Sequence, residues 1–268
     1  MQNKIIDILK SDDGAAIGKI GFSEMKVLHS VLTQRTLNQQ ELHDIFVGAG
    51  VFPPTSDSIN KFCEEMRLCL GGVDVLAKMR IDPSQEELVI DTFSPQSEEI
   101  ELREIEPYYW DNPWSEALEN KKVLIISPFI DTMQKQYKKR QHLWTDTRVL
   151  PEMTLSYMKV PLSHYIKESP YSSWAETLDE LKYQMSKVSF DVCLVGAGAW
   201  SLPLAHEAKT LGKIGIHMGG PLQVLFGIKG KRWDSHEVIS AFYNDFWVRP
   251  SKSETPLQAA AVEGGCYW

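Results

Sequence analysis

Apolar and polar positions along the chain follow two periods, one suited to buried strands and one to amphipathic helices. Residues 15–20 (AAIGKI) form a short apolar run closed by Gly21, which predicts a buried strand; from Ser23, the positions Met25, Leu28 and Leu32 follow helical spacing. Ile59, Phe62, Cys63, Met66 and Leu70 fall on one helical face, with residues 55–57 as its cap and Gly71-Gly72 expected to stop it. Residues 73–79 and 100–105 are expected as strands, and Pro107-Tyr108-Tyr109-Trp110 with Pro113-Trp114 forms an aromatic connector. Residues 121–127 (KKVLIIS) predict a continuous apolar strand ending in Ser-Pro. A helix through Tyr137 and Arg140 and a strand at 155–160 follow.

The second half of the chain has sharper signals. Trp174, Leu178, Leu181, Met185 and Val188 are spaced four, three, four and three, a helical stripe opened by the capping box of Ser173 and Glu176. Residues 191–195 read as a buried strand. The next helix begins near Pro203 and ends before Gly212, and residues 214–217 form another strand. Asp234 with Glu237 is expected to cap a last helix carrying Val238, Ile239, Phe242 and Phe246.

Strand–helix alternation of this kind implies crossover connections, hence an α/β fold with a mostly parallel sheet and helices on both faces. Residues 1–249 are expected to form one such domain. Residues 250–268 are a polar tail closing in Glu263-Gly264-Gly265-Cys266-Tyr267-Trp268, expected to pack on the domain near its site.

Composition narrows the function classes. The chain has 268 residues, 43% hydrophobic and 24% charged, with a formal net charge of −8. That sign argues against nucleic-acid binding, which needs a surplus of cations facing phosphates, and against adsorption to an anionic membrane. No apolar run approaches the roughly 18 residues of a membrane span. The first residues lack the basic and apolar regions of a secretory signal, so a cytoplasmic location is expected. Of the four cysteines only Cys63 and Cys69 are close, at a spacing that suits neither a zinc knuckle nor a redox pair; buried, idle thiols are expected.

In a parallel sheet, ligands gather outside the carboxyl ends of the strands, and four such ends carry unusual residues. After the first strand come Lys19, Gly21 and Glu24, the last either a helix N-terminal charge or a ligand for a metal or sugar hydroxyl. Ser127-Pro128-Phe129-Ile130-Asp131-Thr132 follows another strand. Asp131 or Thr132 can cap the helix there, or Ser127 and the next amides can face a ligand, with Gln136 and Tyr137 supplying polar contacts. Gly196-Ala197-Gly198 resembles half of a dinucleotide-binding turn, but Ser201 stands where the third glycine belongs, which disfavours an NAD-type oxidoreductase. His217-Met218-Gly219-Gly220-Pro221-Leu222-Gln223 offers backbone N–H groups suited to a diphosphate. Lys229, Lys231 and Arg232 then supply cations between glycines in an acidic protein.

These segments resemble the GT-D-type glycosyltransferases, a bacterial family. The likeness rests on Lys19-x-Gly21-x-x-Glu24, Ser127-Pro128-Phe129 with Gln136-Tyr137, Gly196-x-Gly198, the run from His217-Met218-Gly219-Gly220 into residues 226–233 (FGIKGKRW), and the closing residues 263–268. The resemblance implies a Rossmann-like fold. It also implies transfer of a sugar from a nucleotide-sugar donor, a UDP-sugar first, to a glycan or a glycosylated protein or lipid acceptor. Mn2+ or Mg2+ is implied through an Asp-x-Glu motif, in which Phe22 here takes the Asp position and Glu24 is the remaining carboxylate. On this reading Glu24 orients metal or sugar, and Gly219, Gly220 and Gln223 hold the donor. Lys229, Lys231 and Arg232 stabilise the leaving diphosphate, and Asp131 or Glu24 is the base. A non-catalytic nucleotide-sugar-binding or scaffold subunit is the rival reading.

Overall fold

A parallel pair of strands cannot be joined by a hairpin, so each connection must return across a face of the sheet. A computed structural model of the chain describes residues 3–11, 13–161 and 170–268. Within them lie strands β1 (Ala15–Lys19), β2 (Val75–Lys78), β3 (Glu98–Glu101), β4 (Lys122–Ser127), β5 (Thr154–Lys159), β6 (Val192–Val195) and β7 (Ile214–His217). They form one seven-stranded sheet in the order β3-β2-β1-β7-β6-β4-β5, every pair parallel. The connection after β3 carries the chain past β2, β1, β7 and β6 to β4, on the opposite side of β1 from β2 and β3. A parallel sheet with helices on both faces is thus what the hydrophobic periods predicted.

Side chains alternate between two cores. On β4, Leu124 and Ile126 enter one core and Val123 and Ile125 the other; Cys193 and Val195 oppose Val192 and Leu194 on β6 in the same way. Burial on both faces explains why these strands read as unbroken apolar runs. The helices, in chain order, are α1 (Asn3–Lys10), α2 (Phe22–Leu32), α3 (Gln39–Asp44), α4 (Ser56–Gly72), α5 (Pro83–Phe93) and α6 (Ile130–Tyr137), then α7 (Arg140–Leu143), α8 (Trp174–Met185), α9 (Ser201–Thr210), α10 (Pro221–Leu225), α11 (Lys231–Asp234) and α12 (Glu237–Ala241). Helices α2, α4, α5, α8 and α9 cover the first core. The second core is closed by α1, α6, α7, α10 and the aromatic groups Tyr108, Trp114, Trp144, Trp233 and Trp247. No helix among the described residues is long and apolar enough to cross a membrane.

Several expected boundaries move. Strand β3 ends at Glu101 because the Glu104 carboxylate accepts the Glu101 N–H at 3.0 Å and turns residues 102–105 into a 3-10 turn. Gly71 and Gly72 lie inside the last turn of α4, where a Cβ on Gly72 would fall 2.2 Å from His206 Nε2. The helix after β4 is two helices, α6 and α7. Asp234 does not cap the last helix: it ion-pairs with Arg249 at 2.6 Å, and His236 Nδ1 accepts the Ile239 N–H at 3.2 Å instead. That helix stops at Ala241, leaving Phe242 and Phe246 beyond it.

Helix α9 sits directly on β7 at Gly215. A Cβ there would lie 2.1 Å from the Ala205 carbonyl oxygen and 2.5 Å from Ala205 Cα, both rigid backbone atoms. Gly215→Ala is therefore expected to push α9 off the sheet and to lower unfolding free energy by at least about 2 kcal/mol. Urea denaturation of the variant beside the parent measures it.

Candidate functional site

All seven strands run the same way, so their carboxyl ends share one edge, and a cavity of about 460 Å3 opens there between the ends of β1, β4, β6 and β7. Two cations reach it. Lys19 closes β1 and lies against the loop after β7: a Cβ on Gly219 would stand 3.4 Å from Lys19 Cε and 3.5 Å from Nζ. Among the described residues its ammonium has no hydrogen-bond or ion-pair partner. Burial lowers the Lys19 pKa, Glu106 and Glu24 draw it back up, and Arg232 adds to the lowering.

Arg232 comes from α11 and is firmly held. It ion-pairs with Glu263, its guanidinium carbon lies 4.6 Å from the Tyr267 ring centroid, and Nη2 is 3.3 Å from Cys266 Sγ. A planar guanidinium stacked and paired in this way keeps one orientation.

Glu24 sits in the first turn of α2, buried, with its carboxyl folded back over Gly21. A Cβ on Gly21 would fall 2.2 Å from Glu24 Oε2 and 2.7 Å from Oε1, so the missing side chain is what admits the carboxyl. Burial raises its pKa, opposed by the hydrogen bond to its own backbone and by Lys19. His217, at the end of β7, is buried with Nδ1 unpartnered among the described residues. Burial first, and the nearby Lys19 charge second, push its pKa down to about 3, so the ring is neutral through the physiological range.

One wall is aromatic and comes largely from residues 250–268. Trp268 packs edge-on against Phe129 with ring centroids 6.1 Å apart, and against Tyr267 at 6.0 Å. Gly220 faces this wall, where a Cβ would stand 3.3 Å from both Trp233 and Tyr267. The expected packing of this segment on the domain is held by Glu254. That buried carboxylate accepts the N–H groups of Asp131 (2.8 Å) and Thr132 (3.2 Å) at the start of α6, together with the Thr132 hydroxyl. Trp268 Nε1 donates to the Glu254 carbonyl oxygen at 2.7 Å. Neither Asp131 nor Thr132 caps α6 with its own side chain; a carboxylate more than a hundred residues away does.

The structure brings together Lys19, Gly21, Glu24, Ser127, Gly196, Gly198, His217, Gly219, Gly220, Gln223 and Arg232 as lining of this one cavity. Three other candidates lie outside it. Asp131 ion-pairs with Lys159 at 2.6 Å on a half-exposed surface. The Lys229 ammonium stands 4.9 Å from the Tyr243 ring centroid, and Lys231 Nζ donates to the Gly264 carbonyl at 2.9 Å, pinning the 250–268 segment.

Some lining residues serve the frame in ways the sequence did not suggest. The Met218 and Gly219 N–H groups do not point at a ligand; both donate to the Val195 carbonyl, at 2.9 and 3.0 Å. Gly196 and Gly198 allow close backbone approach within the protein: a Cβ would fall 2.7 Å from the Gly219 oxygen in the first case and from the Ala49 oxygen in the second. Gly198 also has φ +56°, and Ala49 ends a π-helical turn over Ile45–Ala49. Gln136 Nε2 donates to the Gly227 and Phe246 carbonyls, and Tyr137 to Pro151 and Met153. Ser127 Oγ accepts the Phe129 N–H at 3.2 Å. Gln223 Nε2 donates to the carbonyls of Lys229 (3.1 Å) and Tyr267 (2.7 Å), joining the α11 loop to the aromatic wall.

The donor set does not make a metal cage of protein atoms. Among the described residues no group of three or more His, Cys, Asp and Glu side chains gathers in a metal-ligating arrangement. Of the two carboxylates lining the cavity, Glu24 lies over its own helix start and Glu263 is paired with Arg232. All four cysteines are free and buried, and burial pushes the Cys63 thiol up to about 12. The chain matches no family model, no curated protein and no solved structure.

The His217 geometry has a pH signature. The unfolded chain protonates this ring near 6.5, the folded chain only near 3, so acidification between those values favours unfolding. Its contribution is complete above about pH 6.5 and is lost as pH falls toward 3, with a slope of at most about 1.4 kcal/mol per pH unit. His217→Gln is expected to flatten the fall in stability between pH 6.5 and 4, measured by urea titration at each pH.

Proposed function

We propose that the chain is a glycosyltransferase that uses a nucleotide-sugar donor, a UDP-sugar in the first instance. The observation that carries this reading is the convergence of Lys19 and Arg232 with an aromatic wall on one cavity at the carboxyl edge of a parallel sheet. A nucleotide sugar combines a diphosphate, a flat base and a set of hydroxyls. Two cations meet the first, the Phe129–Trp268–Tyr267 wall the second, and a cavity of about 460 Å3 is within the usual range for such ligands.

In the reaction an acceptor hydroxyl forms a bond to the anomeric carbon while the bond from that carbon to the diphosphate oxygen breaks. The nucleoside diphosphate leaves with the electron pair, and the acceptor loses its proton. Lys19 and Arg232 stabilise the charge that grows on the leaving diphosphate, and a cation already fixed in place, as Arg232 is, needs no reorganisation to do so. Glu24 is the carboxylate assigned to the proton, since burial makes it more basic than an ordinary glutamate. Phe22 and Ile81, which line the cavity and are exposed at 44% and 55%, are apolar surface available to a glycan, glycoprotein or glycolipid acceptor.

The rival, a non-catalytic nucleotide-sugar-binding subunit, is favoured by one observation: both lining carboxylates are already engaged, Glu24 over its helix start and Glu263 with Arg232. A single set of measurements separates the readings. UDP is expected to raise the melting temperature while NAD(H) leaves it unchanged, and a UDP-sugar is expected to release UDP. Glu24→Gln is expected to keep the UDP shift and to lower UDP release by about 100-fold or more. Stabilisation by UDP with no release from any nucleotide sugar would select the binding subunit, and stabilisation by NAD(H) alone would sink both.

A further inference from the structure

We infer that this cavity binds the donor's diphosphate without a divalent cation, the Lys19 ammonium standing where the metal's charge would be. The inference rests on the nucleotide-sugar reading of the site and departs from the metal dependence that the family resemblance implies.

Four features of the chain lead to it. A hard cation takes six or more oxygen ligands, and Mg2+ demands them in near-octahedral geometry. Among the described residues Glu24 is the lining carboxylate not already held by a cation, and both its oxygens lie over Gly21 at the start of α2. The partner position of the Asp-x-Glu pattern is Phe22, whose ring contacts the Lys26 ammonium at 4.2 Å and offers no oxygen. Glu263, the other lining carboxylate, is neutralised by Arg232.

Lys19 supplies the fourth feature. Its ammonium lies beside Gly219, close enough to Glu106, Glu24 and Arg232 for each charge to be felt, and has no hydrogen-bond or ion-pair partner among the described residues. A dication placed between Glu24 and a diphosphate would meet this like charge at short range in a partly desolvated cavity, where repulsion is weakly screened. The same ammonium carries three N–H donors, and a diphosphate brings acceptor oxygens to satisfy them. Arg232 is already paired with Glu263, so among the described residues it is the unpartnered Lys19 charge that is left to offset the diphosphate. A site already carrying that compensation gains little from Mn2+ or Mg2+.

The test is calorimetric titration of the full chain with UDP and with inorganic pyrophosphate, each in EDTA and then in millimolar Mn2+. Both ligands are expected to bind in EDTA, with dissociation constants within about 3-fold of those in Mn2+. Lys19→Met is expected to weaken both by about 10- to 100-fold in EDTA, the range for losing a charge-assisted hydrogen bond, and Lys19→Arg to recover most of it. Affinity that drops ten-fold or more when Mn2+ is removed overturns the inference, as does the absence of binding by either ligand in both buffers. The wild-type comparison stands even if Lys19→Met fails to fold. Metal-free binding of both ligands without turnover of any nucleotide sugar would remove the glycosyltransferase reading and leave this inference intact. Turnover and binding that both require Mn2+ would do the reverse.

Discussion

One constraint organises the molecule: in an all-parallel sheet every strand ends on the same edge. Residues from positions 19 to 223 thereby meet in one place, each at a strand end or in the turn and helix start that follow it. The burial of both sheet faces fixes that edge, because the two cores leave the strands no freedom to tilt away from their helices. Lys19, Ser127, Gly196 and His217 are neighbours because each ends, or directly follows, a strand whose other residues are committed to the core. The cavity's polar floor is thus a by-product of the register, and its charge comes from Lys19 at the end of β1, Glu24 at the start of α2 and Arg232 on α11.

Electrostatics then differentiate those side chains. Within a small volume there are two cations, a carboxyl group made more basic by burial, and a histidine held neutral. Lys19 is central to this pattern, since its charge opposes protonation of His217 and favours ionisation of Glu24. Arg232 differs from it in being locked by a ring and a carboxylate. The pair therefore combines a fixed cation with an adaptable one, a combination that accommodates a charged group whose geometry changes as a bond breaks.

Much of the fold was legible in the sequence because buried parallel strands write themselves as apolar runs, and 121–127 and 191–195 are plain examples. Helices α1, α3 and α5 were not read. Their apolar faces are short: α1 contributes Ile5 and Leu9 to its core, α5 Val89 and Ile90, and α3 buries nothing. The α5 start did carry a signal in Asp82-Pro83, a capping side chain followed by a proline at the first helical position. The π-helical turn at Ile45–Ala49 has no sequence mark. Most strand-end residues were identified because strand ends are easy to locate. Of the basic cluster Arg232 lines the cavity and Lys231 does not, because consecutive residues on a helix point about 100° apart and so diverge although the sequence sets them side by side. Glu254 could not be found by any local pattern, since its partners Asp131 and Thr132 are far away along the chain.

That last contact has a consequence for local order. The aromatic wall is delivered by a segment tied to α6 through Glu254 and the Ser251 N–H on Thr132, and to the rest of the domain by contacts that include Lys231–Gly264, Arg232–Glu263, Gln223–Tyr267, Phe129–Trp268 and the backbone bonds from Lys231 N–H to Trp268 and Arg232 N–H to Cys266. None of these involves the sheet's own hydrogen-bond ladder, so the order of the wall is set by ties separate from those that pair the seven strands. A ligand that touches Tyr267 or Trp268 adds to those ties, so occupancy and order of the segment rise together.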